Sequence, residues 1–278
     1  MDKLAMLFAL PPVLRGFIAL LISGACFPLC GVMVLRLNLV PLRYMLMHGV
    51  ILGGAVALAF SLPLVPVTVL INVLLVCAMV LYTKDSSFGF GGASAASMVL
   101  SMALASLVMH VKDVPAKDAL NLLWGSPFAL TKTDVAILLL LSILLIVYII
   151  NNFKTIIALF YNQEIAFSLG INVRAHYAGM VLLIALVIAL AMKLLGAFLI
   201  DALLVLPVLA AASFLQRSNK LHGIKNLFIV SGILGFFFTL AGYVLAVVCN
   251  LPPGAVIAFI AGIIYVVSII VNRKGCPF

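Results

Sequence analysis

Nine long apolar runs, separated by short polar stretches, decide what this chain is able to fold into. They lie near Val13–Leu35, Met45–Leu62, Val67–Tyr82, Ala93–His110, Val135–Ile150, Tyr177–Leu195, Gly196–Leu215, Leu227–Val248 and Ala255–Val271. A hydrocarbon core about 30 Å thick is crossed by about 20 apolar residues in a helix. The runs are continuous, without the period-two alternation of a barrel strand, so helices are expected. A chain with 67% apolar and 8% charged residues is not an ordinary soluble domain. The expected fold is all-α and polytopic, about nine transmembrane helices in a single domain over residues 1–278, in contact with membrane lipid. The first run is long and lacks a small-residue cleavage site, so it is expected to be retained. Little polar sequence separates the sixth run from the seventh.

The net charge of +9 is explained by basic loops that orient the chain in the membrane, not by nucleic acid. With the C-terminus inside, the inner loops hold Arg36, Arg43, Lys84, Lys154, Arg174, Arg217, Lys220, Lys225, Arg273 and Lys274. Lys3, Arg15, Lys112, Lys117, Lys132 and Lys193 fall outside, nearly balanced by Asp2, Asp113, Asp118 and Asp134. Cys26, Cys30, Cys77, Cys249 and Cys276 lie mostly in or beside apolar runs and read as small buried residues, not as a disulfide or metal pair. Gly24 and Gly31, seven apart in the first run, suit close helix packing.

Between the fifth and sixth runs stands QEIAFSLGINVRAHYAGM, beginning at Gln163, which is too short and polar to span. It carries Glu164, Ala166 and Gly170, with Lys154 and Arg174 on either side. One reading is an interfacial helix on the membrane surface. The other is a cytoplasmic docking helix that carries force from a motor to the spans. Ala166 and Gly170, four apart, are expected to share one helix face.

The segment AFSLGINV, followed one span later by AMKLLGAFLIDALLVLPVLAA, resembles the permease subunits of bacterial ABC importers for zinc, manganese and iron. The second of these segments matches that family's pattern at Gly196, Leu199, Leu203, Leu204, Pro207, Ala210 and Ala211. Gly31–Gly54 and Ala119–Val135 resemble two further stretches of the family in the right order. The resemblance implies a multi-pass permease domain in the bacterial inner membrane that is not itself an enzyme. It implies a cytoplasmic ABC ATPase that holds the ATP and docks on Glu164, Ala166 and Gly170. It also implies an extracytoplasmic substrate-binding protein, and a homodimer or a paralogous permease partner. No cofactor is expected on this chain, and the implied cargo is a divalent transition metal: zinc, manganese or iron.

His48 lies within the second run, and an ionisable side chain inside a span is a candidate pathway residue. The alternative is a neutral histidine bonded to a neighbouring helix. The resemblance implies the pathway role, but the family's acid four residues earlier is Tyr44 here, and a histidine that some relatives carry in the fourth run is Ser97. Asp201, in FLIDALLVL, is an acid where the family has a small polar residue. Two readings stay open for it: a relocated pathway and metal site with His48, or a structural ion pair with Lys193. With the usual acid missing, a metal chelate or a non-metal small molecule is the alternative cargo.

Met98, Met102 and Met109 recur at helical spacing, more in keeping with packing than with a soft-metal path. The polar stretch Val111–Asp134, with Trp124, is either a landing surface for an external protein or a connector. Pro207 is expected to kink the seventh run. No phosphate-binding loop, zincin motif or nucleophile elbow occurs, so an intramembrane enzyme is a weak alternative, as is a secondary transporter.

Overall fold

The computed structural model describes residues 8–82, 89–115, 117, 125–217 and 223–273. Among them are eleven α-helices and no strands. They are α1 (Pro11–Arg36), α2 (Val40–Ala59), α3 (Leu64–Tyr82), α4 (Gly89–Val111), α5 (Lys132–Asn151), α6 (Phe153–Tyr161), α7 (Gln163–Ser168), α8 (Val173–Leu195), α9 (Ala197–Arg217), α10 (Ile224–Cys249) and α11 (Pro253–Arg273). A 3₁₀ turn covers Pro127–Ala129. Eight helices are long and apolar enough to cross a membrane, and the third run falls on α3 with a shorter apolar stretch, Leu64–Met79. The sixth and seventh runs separate at Gly196, whose φ of 98° ends α8 while its N–H closes the last turn on Met192. That conformation suits glycine, so the break is set by one residue and not by polarity.

The chain divides into two compact units. Unit 1 comprises Met1–Met33, Ser126–Tyr148 and Phe198–Phe278. Its helices close up on glycines, as expected for Gly24 and Gly31. Gly24 lies against Gly235 and Thr239 of α10, and Gly31 against the backbone of Leu204 in α9. Without a hydrophobic force between helices inside lipid, such close approach supplies the dispersion contact that holds them. Tyr243 is buried and donates its hydroxyl to the Val13 carbonyl at 2.7 Å. Phe17 and Phe128 stack around its ring, with centroids 5.6 and 5.9 Å away. Cys26 and Cys30 are buried free thiols, whereas Cys77 and Cys249 are exposed. Helix α9 runs unbroken through Pro207.

Unit 2 comprises Val34–Gly125 and Ile149–Ala197. Its hub is α2, which packs on α3, α4 and α8. Gly49 faces Asn72 and Gly53 faces Thr68, so α2 and α3 run antiparallel. The Ser94 hydroxyl of α4 donates to the Met79 sulfur of α3 at 3.1 Å. Helices α2 and α4 are joined by a core of Ile51, Leu52, Ala55 and Ala105. Helix α8 is the most enclosed candidate span, 72% buried, and α4 the least, 17%.

Candidate functional site

The segment between α5 and α8 folds as two short helices with paired caps. Helix α6 buries Ile156 and Leu159 and packs on α7. At its end Asn162 turns extended, φ −164° and ψ 131°, and its side chain accepts from the Glu164 N–H at 2.7 Å. Ten residues on, Asn172 does the same for α8, accepting from the Ala175 N–H at 3.2 Å. An asparagine ahead of each helix satisfies a donor that has no intrahelical partner.

Helix α7 ends at Ser168, and Gly170 sits beyond it at φ 78°. The Ile171 N–H reaches the Ala166 carbonyl at 3.1 Å and the Gly170 N–H reaches the Phe167 carbonyl at 2.9 Å. This pair of bonds is a Schellman close, which needs a left-handed residue at the position of Gly170. The expectation that Ala166 and Gly170 share a helix face is therefore corrected. Ala166 is fully buried under α7, while Gly170 is exposed and ends the helix. Glu164 is exposed in the first turn. Around it Tyr161, Ile165, Phe167 and Leu169 are exposed too, with Phe167 at 74%. A capped six-residue helix with exposed apolar side chains is a surface suited to docking.

His48 is half-buried in α2. Its Nδ1 lies 2.8 Å from the Tyr44 carbonyl oxygen. A carbonyl only accepts, so Nδ1 carries the hydrogen and Nε2 of the neutral ring keeps a lone pair. Tyr44 is 43% exposed, with the Arg43 guanidinium 4.7 Å above its ring. Asp201 is half-buried in α9 and engaged by a neighbouring group. It belongs to unit 1, whereas His48 and Lys193 belong to unit 2. Among the described residues no three of His, Cys, Asp and Glu gather into a metal-holding group.

Met98 and Met109 are half-buried and Met102 is 43% exposed, so they do not line a buried track. On the other polar stretch, Asp134 accepts from the N–H and hydroxyl of Thr131 at 2.9 and 2.7 Å, and its own N–H reaches the Thr131 hydroxyl at 3.2 Å. This capping box opens α5, and the T-x-x-D spacing signals it in the sequence. Trp124 lies outside the described residues. The two capping asparagines and a buried hydroxyl in α4, Ser101, escaped the sequence reading. The asparagine caps were legible from N-Q-E and N-V-R before helical patterns; the burial of Ser101 was not.

The model of the ABC 3 transport family matches residues 11–272. The high-affinity zinc uptake system membrane protein ZnuB of Haemophilus influenzae is 26% identical over 249 residues, 86% of this chain and 92% of that protein. The manganese transport system membrane protein MntC of Listeria innocua is 25% identical over 158 residues, 56% of this chain and 54% of that protein. Among solved structures, PsaBC from Streptococcus pneumoniae in complex with Fab shares the fold with a TM-score of 0.80 at 19% identity, covering 96% of this chain and 94% of that one. The match over nearly the whole length, on a bundle of membrane helices with a capped helix between spans, shows that this chain belongs to the ABC 3 transport family.

Proposed function

We propose that the chain is the translocation subunit of an ATP-driven importer for a divalent transition metal, with zinc, manganese and iron as the cargo class. The exposed, doubly capped helix α7 carries this reading. Its docking partner is a cytoplasmic ABC ATPase, which holds and hydrolyses the ATP. A substrate-binding protein delivers cargo outside, and a second copy or a paralogous permease completes the pathway in the bacterial inner membrane. The whole chain, residues 1–278, works as one permease domain. His48 contributes Nε2 to the pathway as a neutral nitrogen ligand, a type that suits zinc or iron. Asp201 is a second pathway residue, tested separately because a carboxylate also serves as a structural partner.

ATP-dependent uptake into proteoliposomes of the assembled complex, offered zinc, manganese, iron or copper, tests the reading. Uptake of one metal that His48→Ala stops supports it and names the cargo. A complex that hydrolyses ATP but takes up no free metal moves the cargo to a chelate or a small organic molecule. Uptake that follows an ion gradient and ignores ATP removes the importer reading.

A further inference from the structure

Within unit 2, α8 runs from the docking helix α7 at one end to a glycine contact at the other. Residues 169–172 join α7 to α8, and that joint has no slack. The N–H groups of Leu169, Gly170 and Ile171 reach back to the carbonyls of Ile165, Phe167 and Ala166 at 3.0, 2.9 and 3.1 Å. The Val173 N–H then reaches the Ile171 carbonyl at 2.8 Å, and the His176 N–H the Asn172 carbonyl at 3.1 Å. The Asn172 side chain holds the Ala175 N–H as well, and α7 packs directly on α8. A close-packed, hydrogen-bonded joint transmits displacement, so a shift of α8 moves α7.

Helix α8 is a candidate span, so its Gly196 end lies across the membrane from α7. There Gly125, in the polar stretch assigned to the outside, bears on Gly196 and on the carbonyl carbon of Leu195. The contact is backbone on backbone, without a flexible side chain to absorb movement. The Gly196 N–H is in turn held by the Met192 carbonyl at 2.8 Å. Between the two ends, Met180, Ile184, Ile188 and Met192 are buried at four-residue spacing, and α8 packs on α2 and α3. The 23 residues thus form a rigid element about 35 Å long, tied at both ends.

We propose that α8 is the rod through which a binding protein on the outer face controls the cytoplasmic ATPase. Gly125 on Gly196 is its input and the 169–172 joint its output. The proposal rests on the importer reading above. A substrate-binding protein seated outside displaces Gly125, Gly125 bears on Gly196, and α8 carries the displacement to α7. Gly125 is therefore a positioning residue for coupling and touches no cargo.

The test is ATP hydrolysis by the complete complex in lipid nanodiscs, with and without saturating metal-loaded binding protein, below the unfolding temperature of every variant. In Gly125→Ala the unstimulated rate and the affinity for the binding protein are expected to stay unchanged, while the stimulation falls about fivefold or more. Gly125→Asn is expected to lose as much: asparagine tolerates the left-handed backbone, but its Cβ still meets Gly196. Gly91→Ala, with open space at its Cβ position, is expected to keep full stimulation. Full stimulation in Gly125→Ala overturns the proposal, as does recovery in Gly125→Asn, which marks backbone strain and not the contact. Unstimulated and stimulated rates that fall in proportion overturn it too, since they mark general damage. Weakened affinity for the binding protein places Gly125 on the landing surface and removes the role of α8. A wild-type rate that the binding protein does not change also overturns it. In each of these cases ATP-driven metal uptake by the wild type leaves the importer reading standing; uptake that ignores ATP removes that reading and the proposal with it.

Discussion

Gly125 and Gly196 meet backbone to backbone in unit 2. A Cβ on Gly125 would lie 2.5 Å from the Cα of Gly196 and from the carbonyl carbon of Leu195. Both glycines have positive φ, 55° and 98°. Two constraints act together here. The left-handed backbone excludes most side chains, and the contact leaves no room for one. Gly196 also ends α8 where the sequence offers no polar break.

Gly125→Ala and Gly196→Ala are therefore each expected to lower the unfolding temperature of the purified protein in detergent. A left-handed residue with a Cβ costs about 1–2 kcal/mol before any clash is counted. The two losses are expected not to add, because both variants break one contact. Gly91 is the control, since nothing lies within 4 Å of its Cβ position and its φ is negative. A Gly91→Ala protein as destabilised as the other two would remove the argument from close contact.

The cap of α7 gives a different ranking. Gly170 has φ 78° but open space around its Cβ position, so strain alone resists substitution. Asparagine tolerates the left-handed region better than alanine, and a β-branched residue tolerates it least. Uptake is expected to fall in the order Gly170→Asn, Gly170→Ala, Gly170→Val. Asn162→Ala removes a cap worth about 1 kcal/mol from a helix too short to persist alone. Uptake at constant ATP hydrolysis checks both, and equal rates for the three Gly170 variants would show that the Schellman close does not matter.

Glu164 is exposed in the first turn of α7, where a negative charge suits the helix N-terminus. Glu164→Lys reverses that charge at the proposed docking face. ATP hydrolysis is expected to uncouple from uptake, while binding of cargo outside stays unchanged. Phe167→Ala, which removes a ring that is 74% exposed, is expected to weaken retention of the ATPase during purification. Normal coupled uptake by Glu164→Lys defeats the docking role of α7.

What the sequence carried and what it hid follow from the range of the interactions. The apolar runs were legible because a span is a local property of about 20 residues. The short helix was legible from its polarity and its place between two spans. The reading of Ala166 and Gly170 as one face failed because helical spacing says nothing of where a helix stops. Gly170 closes α7 through bonds to Ala166 and Phe167, and a lone glycine after a helical pattern was the available signal. Gly125 against Gly196 is long-range, and no spacing rule brings those two together.

The chemistry of His48 leads to the last expected outcome. Tyr44 commits Nδ1 as a donor, which leaves Nε2 as the ring's one ligand atom. Imidazole nitrogen suits zinc, whereas carboxylate oxygen suits manganese. His48→Asp replaces the nitrogen with a charged oxygen donor and adds the acid that Tyr44 does not supply. Zinc uptake is expected to fall further than manganese uptake, so the ratio of the two rates shifts toward manganese. Competition between the two metals in the same proteoliposomes reads that ratio directly and cancels differences in protein amount. A His48→Asp complex that loses both metals in equal proportion would show that His48 does not set the preference. His48→Asn separates charge from ligand type, since its amide oxygen is neutral. If the shift depends on charge, His48→Asn leaves the ratio unchanged; if it depends on oxygen against nitrogen, His48→Asn moves the ratio the same way as His48→Asp.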